Sequence, residues 1–467
     1  MDTNFLPFPN DPIESVDDLI GQGSNLQLQP HQSPFQSFWM AGFECTDKLN
    51  AFGVRVDLLA TTGHLQLIDA DYKRLSLFKM STVREGIRWS QVEKTPYQYD
   101  WSEVAQMISH GKKNNIQQIW DLCHFGFPDD LTPLHPMFAR RFASLCRAFV
   151  DFYRSIDPDG VLIITPINEV SFLSWLGGDV RGTSPYCVGQ GWEVKYHLMK
   201  AYIEGIEALK EADSRVRILT TEPLVNIVPP DDANPGQVEL AVRQHADQFQ
   251  VTDILCGLMC PELRGKPAYL DMLGYNYYFD NQWVSNTLEI LKWAEEIPDE
   301  RFVPLHRLLA NAYERYNRPL VLTETSHPRE DRPLWIEMIA EECKLVLCNN
   351  IPLWGICWYP VIDRPDWDNL DCWHQAGLWD RENLTGLPQR LLHIPSANAL
   401  LKAQSKLKTC FTTKRMTEKL PMSTNDAAIY AAFEPGGVGN TKTDEHSNYY
   451  WDCGECSHRY FPGSTID

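Results

Sequence analysis

Eight short apolar runs, each ending in a polar or charged tip, alternate along this chain with stretches of helical period. The runs are FWMAGFE (Phe38–Glu44), TVREGIRWS (Thr82–Ser90), QIWDLCHF (Gln118–Phe125) and LIITPINE (Leu162–Glu169), then RILTTEP (Arg217–Pro223), DMLGYNYY (Asp271–Tyr278), PLVLTET (Pro319–Thr325) and PLWGICWYP (Pro352–Pro360). Between them, FARRFASLCRAFVDFYRSI, VKYHLMKAYIEGIEALKEA and WIEMIAEECKLVLC place apolar residues at spacings of three and four, as amphipathic helices do. Strands buried on both faces read as apolar runs, and strands separated by helices run parallel. The alternation predicts an α/β fold, a (β/α)8 barrel over residues 38–404. The rival, an open doubly wound sheet, carries a glycine-rich phosphate loop after its first strand. AGFECTD has no such loop.

The flanks differ from this core. Residues 1–37, with LQLQPHQSPFQS, read as an N-terminal arm. Residues 405–467 lose periodicity, turn rich in Thr, Gly and Asn, and read as a disordered low-complexity tail. Within the tail, Cys453, Cys456 and His458 have one zinc-like spacing. A structural zinc site needs a second ligand pair, and none stands nearby.

The net charge of −20 argues against nucleic acid and against an anionic membrane surface as partners. No window holds eighteen uninterrupted apolar residues, and the acidic, proline-broken N-terminus has no basic and apolar leader. The thirteen cysteines, odd in number and scattered through the apparent strands and helices, read as reduced core thiols. Together these place the chain in the cytoplasm. They leave its oligomeric state open.

In such barrels the reacting groups stand at the C-terminal ends of the strands. Reading only those ends yields four carboxylates, Glu44, Glu169, Glu222 and Glu324. With them come Arg84, His124, Asn168, Asn276, Tyr278 and Trp358. No strand end offers a lysine for a Schiff base, and no His-x-His pair offers a catalytic metal. Neither cofactor nor metal is expected. A pair of carboxylates among polar and aromatic neighbours suits glycosidic bond cleavage, one protonating the leaving oxygen while the other attacks the anomeric carbon.

The motifs then become specific. Arg84-Glu-Gly-Ile87-Arg-Trp89-Ser90, His124-Phe125-Gly-Phe-Pro128, Asn168-Glu169, Gly274-Tyr-Asn276-Tyr-Tyr278 and Thr323-Glu324 fall in order on strands two, three, four, six and seven. The chain therefore resembles the glycoside hydrolase family 1 enzymes, the β-glucosidase-like retaining glycosidases. The resemblance implies a small glycoside as substrate, Glu169 as acid/base and Glu324 as nucleophile, through a covalent glycosyl-enzyme. It also implies Asn168 at a sugar 2-hydroxyl and His124 at a 3-hydroxyl, with Trp358 as an aromatic wall. Arg84 can supply positive charge beside Glu324, and Asn276 and Tyr278 alternate onto one face of their strand. Glu222 has no role to carry over and reads as a supporting group.

This sequence also departs from the family. Val170 follows Asn-Glu where proline is common, and Thr325-Ser326 replaces Asn-Gly. Glu44 stands near the place of a sugar-binding glutamine, and WYPVIDRPDWD offers Asp366-Trp367 for the sugar-gripping Glu-Trp. These changes fall mainly where a sugar's outer hydroxyls are read, so they bear on substrate more than on chemistry. Two other readings stay open: a transglycosidase with the same two glutamates, and a barrel that binds carbohydrate or a partner without turnover.

Overall fold

A computed structural model of the chain describes residues 33–294, 299–382 and 388–412. Eight parallel strands close on themselves: β1 Trp39–Gly42, β2 Thr82–Gly86, β3 Gln117–Cys123, β4 Ile163–Ile167, β5 Arg217–Pro223, β6 Met272–Asn276, β7 Leu320–Thr325 and β8 Leu353–Trp358. Seven of the runs picked from the sequence contain or match one of them, and the eighth, Gln118–Phe125, starts one residue after β3. Closure runs through Ala41 opposite Val83 on one side of β1 and Ala41 opposite Trp358 on the other. The three helical patterns are helices Phe138–Ile156, Gly191–Ala212 and Arg332–Cys348.

The alternation of side chains along each strand divides the barrel into layers. Met40, Ile119, Ile163, Leu219, Met272, Val321 and Trp354 form an apolar floor inside, and Phe35 from the end of the arm packs against it. Two residues further along β2, β3, β4 and β7 the interior turns polar, with Arg84, Asp121, Thr165 and Thr323, all buried. The site stands above this polar layer.

β7 contains the irregularity that matters most. Tyr275 pairs with Leu322, but Asn276 pairs with Glu324, so one step on β6 spans two on β7. On its other side, Ile356 pairs with Leu322 and Trp358 with Thr325. An extra residue in one strand is a bulge, and bulges re-aim side chains. Here it lets Thr323 reach Asn276 while Glu324 reaches Arg84 and Tyr278.

Among the described residues, no helix is long and apolar enough to cross a membrane. The last helix, Ile394–Thr412, runs through residue 404. Residues 413–467, with Cys453, Cys456 and His458, lie outside the described residues, as do 1–32.

Candidate active site

Glu324, next to last in β7, has both oxygens bonded: Oε1 accepts from Arg84 Nη1 at 2.8 Å, and Oε2 from the Tyr278 hydroxyl at 2.8 Å. Arg84, 1% exposed, is shared more widely. It also donates to the Thr323 carbonyl (3.0 Å), Asp121 Oδ2 (2.6 Å) and Asn168 Oδ1 (3.1 Å). One guanidinium fork thus ties together β2, β3, β7 and the end of β4, a geometry lysine could not supply.

Glu169 caps the helix Val170–Gly178 in a left-handed backbone conformation, φ 45° and ψ 61°. Its Oε1 accepts from Asn276 Nδ2 at 2.9 Å, and Asn276 Oδ1 in turn accepts from Thr323 Oγ1 at 2.7 Å. Burial, and next the charge of Glu324, hold the Glu169 carboxyl well above the usual carboxylate range. Tyr278 is raised well above its ordinary value by burial and by the same two glutamates, so its hydroxyl keeps its proton for Glu324.

Both glutamates line one cavity of about 340 Å3, together with Glu44, His124, Tyr278 and Trp367. His124 Nδ1 bonds Asp121 Oδ2 at 2.9 Å, while Nε2 lies 3.4 Å from both the Asn168 amide and the Tyr359 hydroxyl. Burial works against its cationic form, but Asp121 and Glu44 raise its pKa. Glu44 accepts from the Thr46 hydroxyl at 2.6 Å and faces Arg364 Nε at 3.3 Å. Burial would raise its carboxyl; Arg364, His124 and Thr46 outweigh that and lower it. Glu44 and Arg364 thus form an ion pair at the cavity wall.

Two expected sugar contacts lie elsewhere. Trp358 is fully buried, its indole donating to the Ala376 carbonyl at 3.1 Å, and it is not among the cavity-lining residues. The next residue, Tyr359, takes the wall, because one step along a strand reverses the face. The Tyr359 ring lies over Gly42, where a Cβ would come within 2.0 Å of it; it also stacks 5.8 Å from His124 and under Arg84 at 5.2 Å. Asp366 spends Oδ1 on the amides of Asp368 and Asn369, so it fixes a turn rather than facing the cavity. Trp367 does face it, with the Arg364 guanidinium 4.8 Å and Lys48 Nζ 5.0 Å from its ring.

Glu222 is buried outside the cavity lining. Asp121, Tyr359 and Arg364 are the participants sequence reasoning missed. Asp121 was visible only as a charge inside an apolar strand, a residue type that must be paired when buried. Ligand-type atoms of Cys45, Asp121 and His124 lie within 4.8 Å of one another. Asp121 Oδ2 already serves Arg84 and His124, so a cation there would compete with a buried guanidinium.

No protein-family model and no curated protein matches the chain. Solved structures do. A β-glucosidase from Thermotoga maritima in complex with glucoimidazole aligns with TM-score 0.63 at 13% identity, over 81% of this chain and 99% of that one. A family 1 β-glucosidase from the same organism, in complex with isofagomine lactam, aligns with TM-score 0.57 at 14% identity, covering 73% and 87%. An enzyme designated AHE from Alicyclobacillus herbarius aligns with TM-score 0.60 at 15% identity, covering 74% and 88%. At such identities the likeness is one of fold, the closed parallel barrel.

Proposed function

We propose that this protein is a retaining β-glycosidase, with Glu324 as nucleophile and Glu169 as acid/base. The reading is supported most by the unequal settings of two carboxyl groups in one cavity. Glu324 is oriented by a guanidinium and a phenol, while Glu169 is kept protonated by burial and by the charge of Glu324. Environments that separate two neighbouring carboxyls in this way assign one to attack and the other to protonation. Glu324 would displace the leaving group as Glu169 hands it a proton, and a water deprotonated by Glu169 would then release the sugar. The family 1 β-glucosidases that share the fold lend weight to a glycoside as substrate. The Glu44–Arg364 pair at the cavity wall bears on which sugar is accepted more than on the two-glutamate chemistry.

Incubation with 2-fluoro aryl β-glycosides should label Glu324, read by mass spectrometry of the digest. Glu324→Gly should abolish turnover, and azide in the vacated space should restore cleavage to the α-glycosyl azide. Glu169→Ala should spare activated aryl glycosides in the first step, and azide should then yield the β-azide. Label on another residue, or a fully active Glu324→Gly, would overturn Glu324 as nucleophile, whereas no label and no turnover would return the protein to a binding role.

A further inference from the structure

We propose that Glu222 is a positioning residue for Glu169: its carboxylate fixes the turn from β4 into the next helix and sets negative charge behind the acid/base. The proposal rests on the reading of Glu169 given above.

A residue with a side chain does not adopt the left-handed conformation of Glu169 unless its surroundings impose it. β5 imposes it here. The Glu169 N–H donates to the Thr221 carbonyl at 2.8 Å. The adjacent residue, Glu222, accepts from the N–H of Val170 at 2.6 Å and of Ser171 at 3.1 Å. Three successive main-chain donors are therefore held by two successive residues of one strand. Val170 and Ser171 open the helix Val170–Gly178, whose first N–H groups have no partner within the helix and favour an anion.

Position 170 supplies the second observation. Where Asn-Glu is followed by proline, that position has no N–H to offer. Here valine supplies one, and Glu222 receives it at 2.6 Å.

The charges agree with the geometry. Glu169 is faced by Glu324 from β7, Glu222 from β5, Arg84 from β2 and Tyr278 beyond β6. Glu222 is faced by Lys195 of the helix Gly191–Ala212 and by Tyr202 and Tyr275, and Lys195 itself donates to Gln250 at 2.7 Å. Burial pushes Glu222 up to about 7, against the bonds from Ser171 and Val170 and the charge of Lys195. As it ionises near neutrality, its charge joins that of Glu324 in keeping the proton on Glu169.

Two aryl β-glycosides of one sugar test this, the 2,4-dinitrophenyl glycoside, which needs no protonation, and the phenyl glycoside, which does. In Glu222→Gln the amide keeps one acceptor and no charge. Its kcat/KM should fall on the order of ten-fold for the phenyl glycoside and stay within about two-fold for the other. The basic limb of the phenyl profile should move to lower pH. Equal losses on both substrates with an unmoved limb would overturn the proposal. If Glu222→Gln does not fold, Val170→Pro, which deletes one donor and keeps the charge, should show a smaller loss confined to the phenyl glycoside; a loss indifferent to leaving group would overturn it. Should the wild type cleave no glycoside, the reading of the site fails separately. Glu222 is then decided by a 13C NMR titration of Glu169, expected to move to lower pH in Glu222→Gln and overturning the proposal if unchanged.

Discussion

Arg84 is the residue on which the site's polar layer converges, and its removal tests whether chemistry and folding can be separated there. Were it only a charge beside Glu324, Arg84→Met would lower kcat and spare stability. It also neutralises the buried Asp121, and stripping one partner from a buried pair costs roughly 3–5 kcal/mol. Arg84→Met should therefore lower the urea midpoint sharply as well as kcat, measured on the same preparation. An unchanged midpoint would mean that Asp121 does not depend on it. Glu169, Glu324, Asn276 and Tyr278 were legible because the end of a strand is itself a signal. Asp121 and Tyr359 were not. The first stands mid-strand between Trp120 and Leu122 and turns inward only once eight strands close; the second is one residue from the tryptophan that the motif favours.

At the scale of elements, a second buried charge cluster joins the helix His64–Arg74, β2 and the strand Arg390–Leu392. His64 bonds Asp71 at 2.9 Å and Glu85 at 3.1 Å, and Arg390 closes on Asp71 at 2.9 Å. Burial disfavours the imidazolium, but Glu85 and Asp71 overcome it and raise His64 to about 9. A histidine raised on folding stabilises fully below its unfolded value, near 6.5, and loses that contribution as pH climbs through about 9, here roughly 3 kcal/mol. Glu222 and Asp363, both lifted by burial to about 7, act with the same sign, since each must give up a proton that the fold retains. The urea midpoint should fall between pH 6.5 and 8, below the range where Lys48, lowered by burial to about 8, gives up its proton and acts with the opposite sign, and an imidazole NMR titration should find His64 still protonated at pH 8. A level or rising midpoint would mean that His64 is neutral in the fold. Strands of the barrel and three long helices were readable from period and length. The three-residue strand carrying Arg390 and the bulge in β7 were not, because neither is long enough to set a period.

For the whole molecule the question is where the folded chain stops. All eight strands and every cavity-lining residue lie between Trp39 and Ala376, yet the fold does not end there. Helix Ile394–Thr412 buries Ala397, Leu400, Ala403 and Leu407, and sets Lys402 on Glu337 and Lys406 on Glu341 of the helix Arg332–Cys348. Gln404 reaches back to the Phe78 carbonyl at 2.7 Å, near the start of the barrel. Composition changes at 404, but the apolar spacing Leu400, Ala403, Leu407 carries on past it, and the spacing is what packing obeys. Three truncations should therefore separate. Ending the chain at Thr412 should keep the thermal midpoint and aryl glycoside turnover. Ending it at Gln404 removes Leu407 and the Lys406 pair, and should cost roughly 1.5–3 kcal/mol for the buried leucine. Ending it at His393 uncovers the apolar face of Arg332–Cys348, next to β7 and β8, and should abolish both folding and turnover. Equal stability of the 404 and 412 forms would show that the last turns of this helix add nothing to the barrel.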